Sequence, residues 1–217
     1  MKNIRAVLTP AELPALRQSD LRGAACVVFD ILRATSTFVT ALHNGAQGVI
    51  PVSEISEALA WRVKNPRALL AGERHGVKIG SSLTGGPPFD LGNSPREFTA
   101  ATVRDRTIIS TTTNGTRALN ACRSAQTVLA GSFLNLDATA RFLLEHSAEE
   151  IVLVCAGTGH ESALEDVLAA GALCDRLVDW ATFTLADSAA IAWRANRWSE
   201  RSSLARCVWH RSTSERG

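Results

Sequence analysis

The stretch TTTNGT, residues 111–116, sets four threonine hydroxyls, a carboxamide and a glycine between an apolar run ending RTIIS and a helix-like RALNAC. A strand-to-helix connection can be made with far less polar chemistry. The start of a helix presents free backbone N–H groups and the positive end of a dipole, which suits an anion. The other reading of the stretch is a capped turn, with a threonine or Asn114 as N-cap and Gly115 relieving the backbone. Taken alone, the six residues fit either.

Other polar groups fall at similar places, after apolar runs. Asp30 interrupts VVFDIL and is followed by Arg33, Thr35, Ser36 and Thr37. Glu73, Arg74, His75 and Lys78 follow LLAG, and FDLGNSP supplies Asp90, Asn93 and Ser94. CAGTGHESALED supplies Thr158, His160, Glu161, Glu165 and Asp166. A carboxylate at a strand end is costly unless it is paired, which points Asp30 toward a role beyond capping the next helix. Arg33 and Arg74 are either anion ligands or ion-pair partners of these same acids. Glu165 and Asp166 are adjacent on a helix and point about 100° apart, so one can be merely solvated. Hard oxygen donors with Arg and hydroxyls suit a divalent metal and a phosphate better than a soft-metal site.

Several familiar sites are absent. No G-x-x-x-x-G-K-[ST] occurs, which disfavours a P-loop. GTGHES starts like a dinucleotide fingerprint, but Ser162 stands where the third glycine belongs. No G-x-S-x-G nucleophile elbow is present. An aspartyl-phosphate site beginning at VVFDIL would need a second nearby Asp, which the run lacks.

These residues need a scaffold. Apolar runs predict strands over 25–32, 47–52, 68–72, 106–110, 127–131 and 150–156. Their continuous apolar character predicts strands covered on both faces. Helical patterns fall over 36–44, 54–64, 115–124, 136–146 and 161–180, the last with Leu164, Val167, Leu168, Gly171, Cys174 and Val178 on one stripe. Alternating strands and helices predict an α/β fold in three layers. The order strand, polar turn, helix, strand, helix, strand occurs over 25–72 and again over 106–156. The expected architecture is therefore two similar three-layer α/β/α domains with mixed sheets facing a shared cleft, residues 1–98 and 99–217. Ligands in such sheets bind beyond the carboxyl ends of the strands, where the polar turns lie.

Composition bounds the function. Apolar residues make up 46% and charged residues 20% of 217, an ordinary globular balance. No run approaches the roughly 20 apolar residues of a membrane span. The start, MKNIRAVLTPAEL, lacks the apolar centre of a signal peptide. Five scattered cysteines without a C-x-x-C pair read as reduced, non-catalytic thiols, so a cytoplasmic protein is expected. The net charge of +2 excludes a global basic field for nucleic acid.

Six blocks in order, VVFDILRATST, GERHGVKI, FDLGNSP, STTTNGTRAL, GSFLN and VCAGTGHESALEDVLAAG, resemble the 2-phosphosulfolactate phosphatase family over roughly residues 4–180. The resemblance implies a Mg²⁺-dependent phosphatase of coenzyme M biosynthesis, which converts 2-phospho-3-sulfolactate, a small anionic phosphate ester, to sulfolactate and phosphate. It implies catalytic acids at Asp30, Glu73, Asp90 and Glu165, and metal ligands among Asp30, Asp90 and Asp166. It implies substrate contacts from Arg33, Thr35, Arg74, Asn93, Ser94, Thr112, Thr113, Asn114, Gly115, Thr116, Ser132 and Asn135. With it, TTTNGT reads as a phosphate cradle. A non-catalytic phosphoanion-binding protein is the alternative, but such a protein has no need of four carboxylates beside a polyanion.

From about residue 181 the chain departs from that pattern. Its last 31 residues are Arg-rich and hold Trp193, Trp198 and Trp209. A peripheral amphipathic helix is expected, with Ile191, Ala195, Trp198 and Ala205 near one face. Exposed tryptophans there would suit a homodimer contact.

Overall fold

The computed structural model describes residues 2–201; Ala205 and Cys207 lie outside them. The fold is built on two sheets. The first orders its strands β7-β2-β8-β1-β9, all parallel, and the second β3-β6-β4-β5. The first comprises β1 (Lys2–Val7), β2 (Ala24–Phe29), β7 (Thr127–Gly131), β8 (Glu150–Cys155) and β9 (Phe183–Leu185). The second comprises β3 (Gly48–Pro51), β4 (Leu69–Arg74), β5 (Val77–Lys78) and β6 (Thr107–Thr111), with only the β4–β5 pair antiparallel.

The helices are α1 (Leu13–Gln18), α2 (Ala34–His43), α3 (Ile55–Lys64), the single turns α4 (Ser81–Thr84) and α5 (Ala100–Val103), α6 (Gly115–Ala121), α7 (Leu136–Glu145), α8 (Leu164–Trp180) and α9 (Asp187–Arg201). The apolar runs are explained by burial on both sides. Ala25, Val27 and Phe29 of β2 pack with Leu143 of α7, Leu173 of α8 and Ala192 of α9. Their alternates Cys26 and Val28 pack with Leu16 of α1 and Ala118 of α6. The second sheet repeats this, Leu69 and Ile108 burying against Ala41 of α2, and Leu70 and Ile109 against Ala58 of α3.

Sheet membership does not follow the expected split after residue 98. Strands of the first sheet come from residues 2–29 and 127–185, and those of the second from 48–111, so that split would part β6 from its neighbours β3 and β4. The chain changes sheet through α2, which leaves β2 and packs on the second sheet, and through α6, which leaves β6 and packs on the first. Periodicity reveals elements, not which strands pair, so a doubled order looked like two consecutive halves. The polar turns Asp30–Arg33 and Thr112–Asn114 thus both begin at a crossing between sheets.

The C-terminal region also differs from expectation. β9 extends the first sheet beside β1, and Ala189 and Ala192 of α9 are buried in its core. Asn196 Nδ2 and Trp193 Nε1 both donate to the buried Asp175 of α8, at 2.7 and 2.5 Å. Ile191 and Trp198 lie on the exposed face instead. Arg197 stacks over Trp193 and faces Asp175 at 3.7 Å, not the Thr112–Thr116 turn. No helix among the described residues is long and apolar enough to cross a membrane.

Candidate active site

Asp30 follows β2 and is buried. The turn is sealed by Thr35, whose Oγ1 donates to the Asp30 carbonyl at 2.9 Å and accepts the Asp30 N–H at 3.0 Å. The carboxylate reaches forward, Oδ1 accepting the Ala34 N–H at 3.1 Å. It also lies against the start of α6: a Cβ on Gly115 would come 2.5 Å from Asp30 Oδ2 and 2.7 Å from Ala34 Cβ. Gly115 is therefore required by close approach, not by a strained backbone. Burial pushes the Asp30 carboxyl up to about 6, with the charge of Glu73 adding to it; N–H groups of Ala34, Arg33 and Gly115 pull the other way.

Asp166, in the first turn of α8, resolves the pair that the sequence left open. It is 2% exposed, and its two oxygens accept the N–H groups of Ile31 at 2.8 Å and Gly157 at 3.0 Å. Its carboxyl is held well above the ordinary range by burial and then by the charge of Asp30. Glu165 beside it is half-buried. Two buried carboxylates thus lie within electrostatic reach of one another beyond the carboxyl ends of β2 and β8.

The TTTNGT turn supplies the opposite side, in a form that the sequence did not show. Its Thr112 and Thr116 lock onto each other, Thr116 N donating to Thr112 Oγ1 at 3.2 Å and Thr112 N to Thr116 Oγ1 at 3.3 Å. The Thr113 N–H donates to Glu73 Oε1 at 2.7 Å. Three of the backbone donors expected to bind an anion are therefore already satisfied within the protein. What remains is on the side chains: Thr113 Oγ1 and Asn114 Oδ1 are buried and without a hydrogen-bond partner. Buried polar atoms are rarely left so, and the pair calls for a partner that the protein's own groups do not supply.

Glu73 and Arg74 end β4. Arg74 donates to the Glu73 and Ser53 carbonyls and to Thr111 Oγ1, at 2.8, 3.3 and 3.0 Å. Thr111 is not among the residues that the sequence singles out; its place as the last residue of β6, directly before the turn, is the signal that points to it. Arg33 is half-buried and gives one bond, 3.1 Å to the Gly76 carbonyl, from a guanidinium with five N–H donors. Beyond β7, Ser132 Oγ lies 3.0 Å from Ser36 Oγ of α2, and Asn135 Oδ1 accepts the Ser132 N–H at 2.8 Å. These two residues border the Asp30 turn.

The remaining candidates are placed elsewhere. Asp90 pairs with Arg62 and accepts the Leu70 N–H at 2.7 Å. Leu70 stands three residues before Glu73 in β4, about 10 Å back along the strand, so the expected catalytic and metal roles of Asp90 do not match its surroundings. Asn93 is buried against α2, its carbonyl accepting from Thr37 Oγ1 at 3.1 Å, and Ser94 precedes a short helical turn. His75 and His160 are exposed in turns. Cys155 is fully buried with its thiol held well above its ordinary value by burial, and Cys174 is pushed up to about 12 likewise, which suits inert core thiols.

Among the described residues no three Asp, Glu, His or Cys side chains converge into a ready metal cage. Mg²⁺ requires less, since it keeps several waters and binds through one or two carboxylates with substrate oxygens. Asp30, Asp166 and the partnerless Asn114 Oδ1 are hard oxygens of that kind. The residues fit the ion.

Comparison with known proteins agrees with this chemistry. The chain is 46% identical over 165 residues to a probable 2-phosphosulfolactate phosphatase of Caldanaerobacter subterraneus subsp. tengcongensis, covering 75% of this chain and 65% of the relative. It is 50% identical to a protein of the same name from Thermotoga petrophila, over 70% of this chain and 61% of the relative. A third, from Caldicellulosiruptor saccharolyticus, is 38% identical over 80% of this chain and 70% of the relative. The chain therefore spans about two thirds of the length of these relatives. The family model of 2-phosphosulpholactate phosphatase matches residues 8–216, so the region after residue 181, expected to depart from the pattern, lies within the match. This chain belongs to the 2-phosphosulpholactate phosphatase family.

Proposed function

We propose that the protein is a Mg²⁺-dependent phosphoric monoester hydrolase that converts 2-phospho-3-sulfolactate, or a similar small acidic phosphate ester, to sulfolactate and phosphate. The observation that carries the reading is the meeting of two buried carboxylates, Asp30 and Asp166, with a turn whose Thr113 Oγ1 and Asn114 Oδ1 lack partners. The names of the relatives supply the substrate.

Asp30 and Asp166 are the residues to hold the ion, with Asn114 Oδ1 a further oxygen. A bound divalent ion would neutralise phosphoryl oxygens and cancel the repulsion between the two carboxylates. Thr113 Oγ1 donates to the substrate anion. The spare N–H groups of Arg33 provide fixed positive charge, and Thr35 and Gly115 keep Asp30 where it meets both turns. Phosphoryl transfer depends mostly on such positioning and charge stabilisation. A phosphoanion-binding protein without turnover is disfavoured, because buried carboxylates with no cation would repel its ligand.

The test is release of inorganic phosphate from 2-phospho-3-sulfolactate and from other small phosphate monoesters, with Mg²⁺ and with EDTA. Turnover with Mg²⁺ that EDTA abolishes is expected. Anion binding without turnover of any ester would leave a binding protein, and activity intact in EDTA would end the metal role.

A further inference from the structure

We propose that Glu73 is a positioning residue of this site and not its proton-transfer acid. Its side chain is buried, and both carboxylate oxygens are engaged by main-chain donors: Oε1 by Thr113 N–H and Oε2 by Gly76 N–H, each at 2.7 Å. Each oxygen is held in place by a short charge-assisted bond from the main chain. The carboxylate ties three segments together: the end of β4, the His75–Gly76 turn and the turn after β6.

The grip extends across the sheets. His75 and Gly76 both have positive φ, 54° and 79°, and form the two-residue turn between β4 and β5. Glu73 takes the N–H of Gly76, while Arg33, from the turn after β2, takes its carbonyl at 3.1 Å. One peptide segment thus fixes Arg33 on one side and, through Glu73, Thr113 on the other. The clamped N–H fixes the backbone of the turn, from which Thr113 Oγ1 and Asn114 Oδ1 project without a hydrogen-bond partner. Without Glu73, the Thr113 N–H would be orphaned and the turn free to collapse onto itself.

The inference rests on the proposed phosphatase reading, so the experiment reads binding and exchange as well as turnover. Glu73→Gln retains one acceptor oxygen; Glu73→Ala retains none. With 2-phospho-3-sulfolactate, Glu73→Gln should stay within about 10-fold of the parent kcat, with a superimposable pH–rate profile. Glu73→Ala should lose about 100-fold in kcat/KM, with KM rising, as expected for a displaced contact. Hydrogen exchange at the Thr113 and Gly76 amides should accelerate most in Glu73→Ala. Inorganic phosphate, titrated by calorimetry, should bind most weakly to that variant and intermediately to Glu73→Gln. A Glu73→Gln protein as inactive as Glu73→Ala, with parental exchange at Thr113, would make Glu73 a proton carrier and overturn the proposal. If the parent hydrolyses no ester, the exchange and phosphate measurements still decide the matter, and equal phosphate affinity in all three proteins would overturn it.

Discussion

The turns after β2 and β6 are alike in composition and closure but differ in the side chains they bring to the site. Both are hydroxyl-rich, both open a helix that crosses to the other sheet, and both end near Asp30. In the first, Asp30 and Thr35 bond each other, Ala34 N–H finds Asp30 four residues back, and Ile31 N–H goes out to Asp166. In the second, Thr112 and Thr116 bond each other, and Thr113 N–H goes out to Glu73, 40 residues earlier in the chain. The first turn carries a carboxylate of its own, Asp30, to the place where the two meet. The second carries none and brings the partnerless Thr113 Oγ1 and Asn114 Oδ1 instead. The difference assigns charge to the first turn and neutral ligand contacts to the second.

The sharpest way to break this comparison is at the residue both turns share. Asp30→Asn keeps the size, removes the charge and replaces one acceptor by a donor, so kcat should fall on the order of 10³-fold or more. A stability signature accompanies the loss. The folded state raises this carboxyl to about 6 from 3.8, so the fold binds a proton more tightly than the unfolded chain does. The contribution of this carboxyl to stability is then greatest at low pH and is lost as pH rises through that window, by about 3 kcal/mol at most. In metal-free protein, thermal unfolding should show that decline between roughly pH 4 and 6 in the parent. Asp30→Asn should make it shallower, leaving the part due to Asp166, whose carboxyl burial also raises. A parent-like slope in the variant would remove Asp30 as its source.

The second turn should respond more mildly. Thr113→Val preserves shape and removes a hydroxyl that has no internal partner. Stability should be unchanged or slightly raised, because no bond within the protein is lost, while substrate binding should weaken by about 1–3 kcal/mol. The measurements are KM, phosphate affinity and unfolding midpoint on one preparation. Weaker folding with unchanged affinity would make the hydroxyl structural and erase the distinction between the turns.

What could be read from the sequence follows the same division. Asp30 and Glu73 were visible because each ends an apolar run, where a carboxylate demands an explanation. The first-turn geometry was nearly local and so close to readable. Strands whose side chains are buried on both faces were visible as continuous runs, but β1 was not, because Lys2, Asn3 and Arg5 interrupt Ile4 and Ala6; Arg5 is tolerated through Glu150 at 3.1 Å. Strand partnership carries no local signal, which hid the interleaving of the two sheets. The buried role of Asp166 depended on Ile31, 135 residues away in sequence. The C-terminal helix was hard to read for a related reason: its buried residues include Ala189, Ala192 and Asn196, small and polar, with Ala192 and Asn196 packed close to Gly171 of α8 and Asn196 bonded to Asp175.

The smallest effect is expected at Asp90, where motif and geometry part. As one acid among several after apolar runs, it looked equivalent to Asp30. In the fold its partners are Arg62 and the Leu70 N–H, toward the start of β4 and away from the carboxyl end where the turns meet. The Asp90 and Arg62 side chains are 35% and 34% exposed, so their pair is screened by solvent and worth about 1 kcal/mol or less. Asp90→Asn keeps an oxygen for the Leu70 N–H and loses only the charge. It should lower stability by about 1 kcal/mol or less and leave kcat within about twofold of the parent. Steady-state kinetics beside a denaturation curve would check both. A loss of turnover comparable to that of Asp30→Asn would mean that Asp90 works at the site by a route these contacts do not reveal, and the contrast between a chemical and a structural carboxylate would fail.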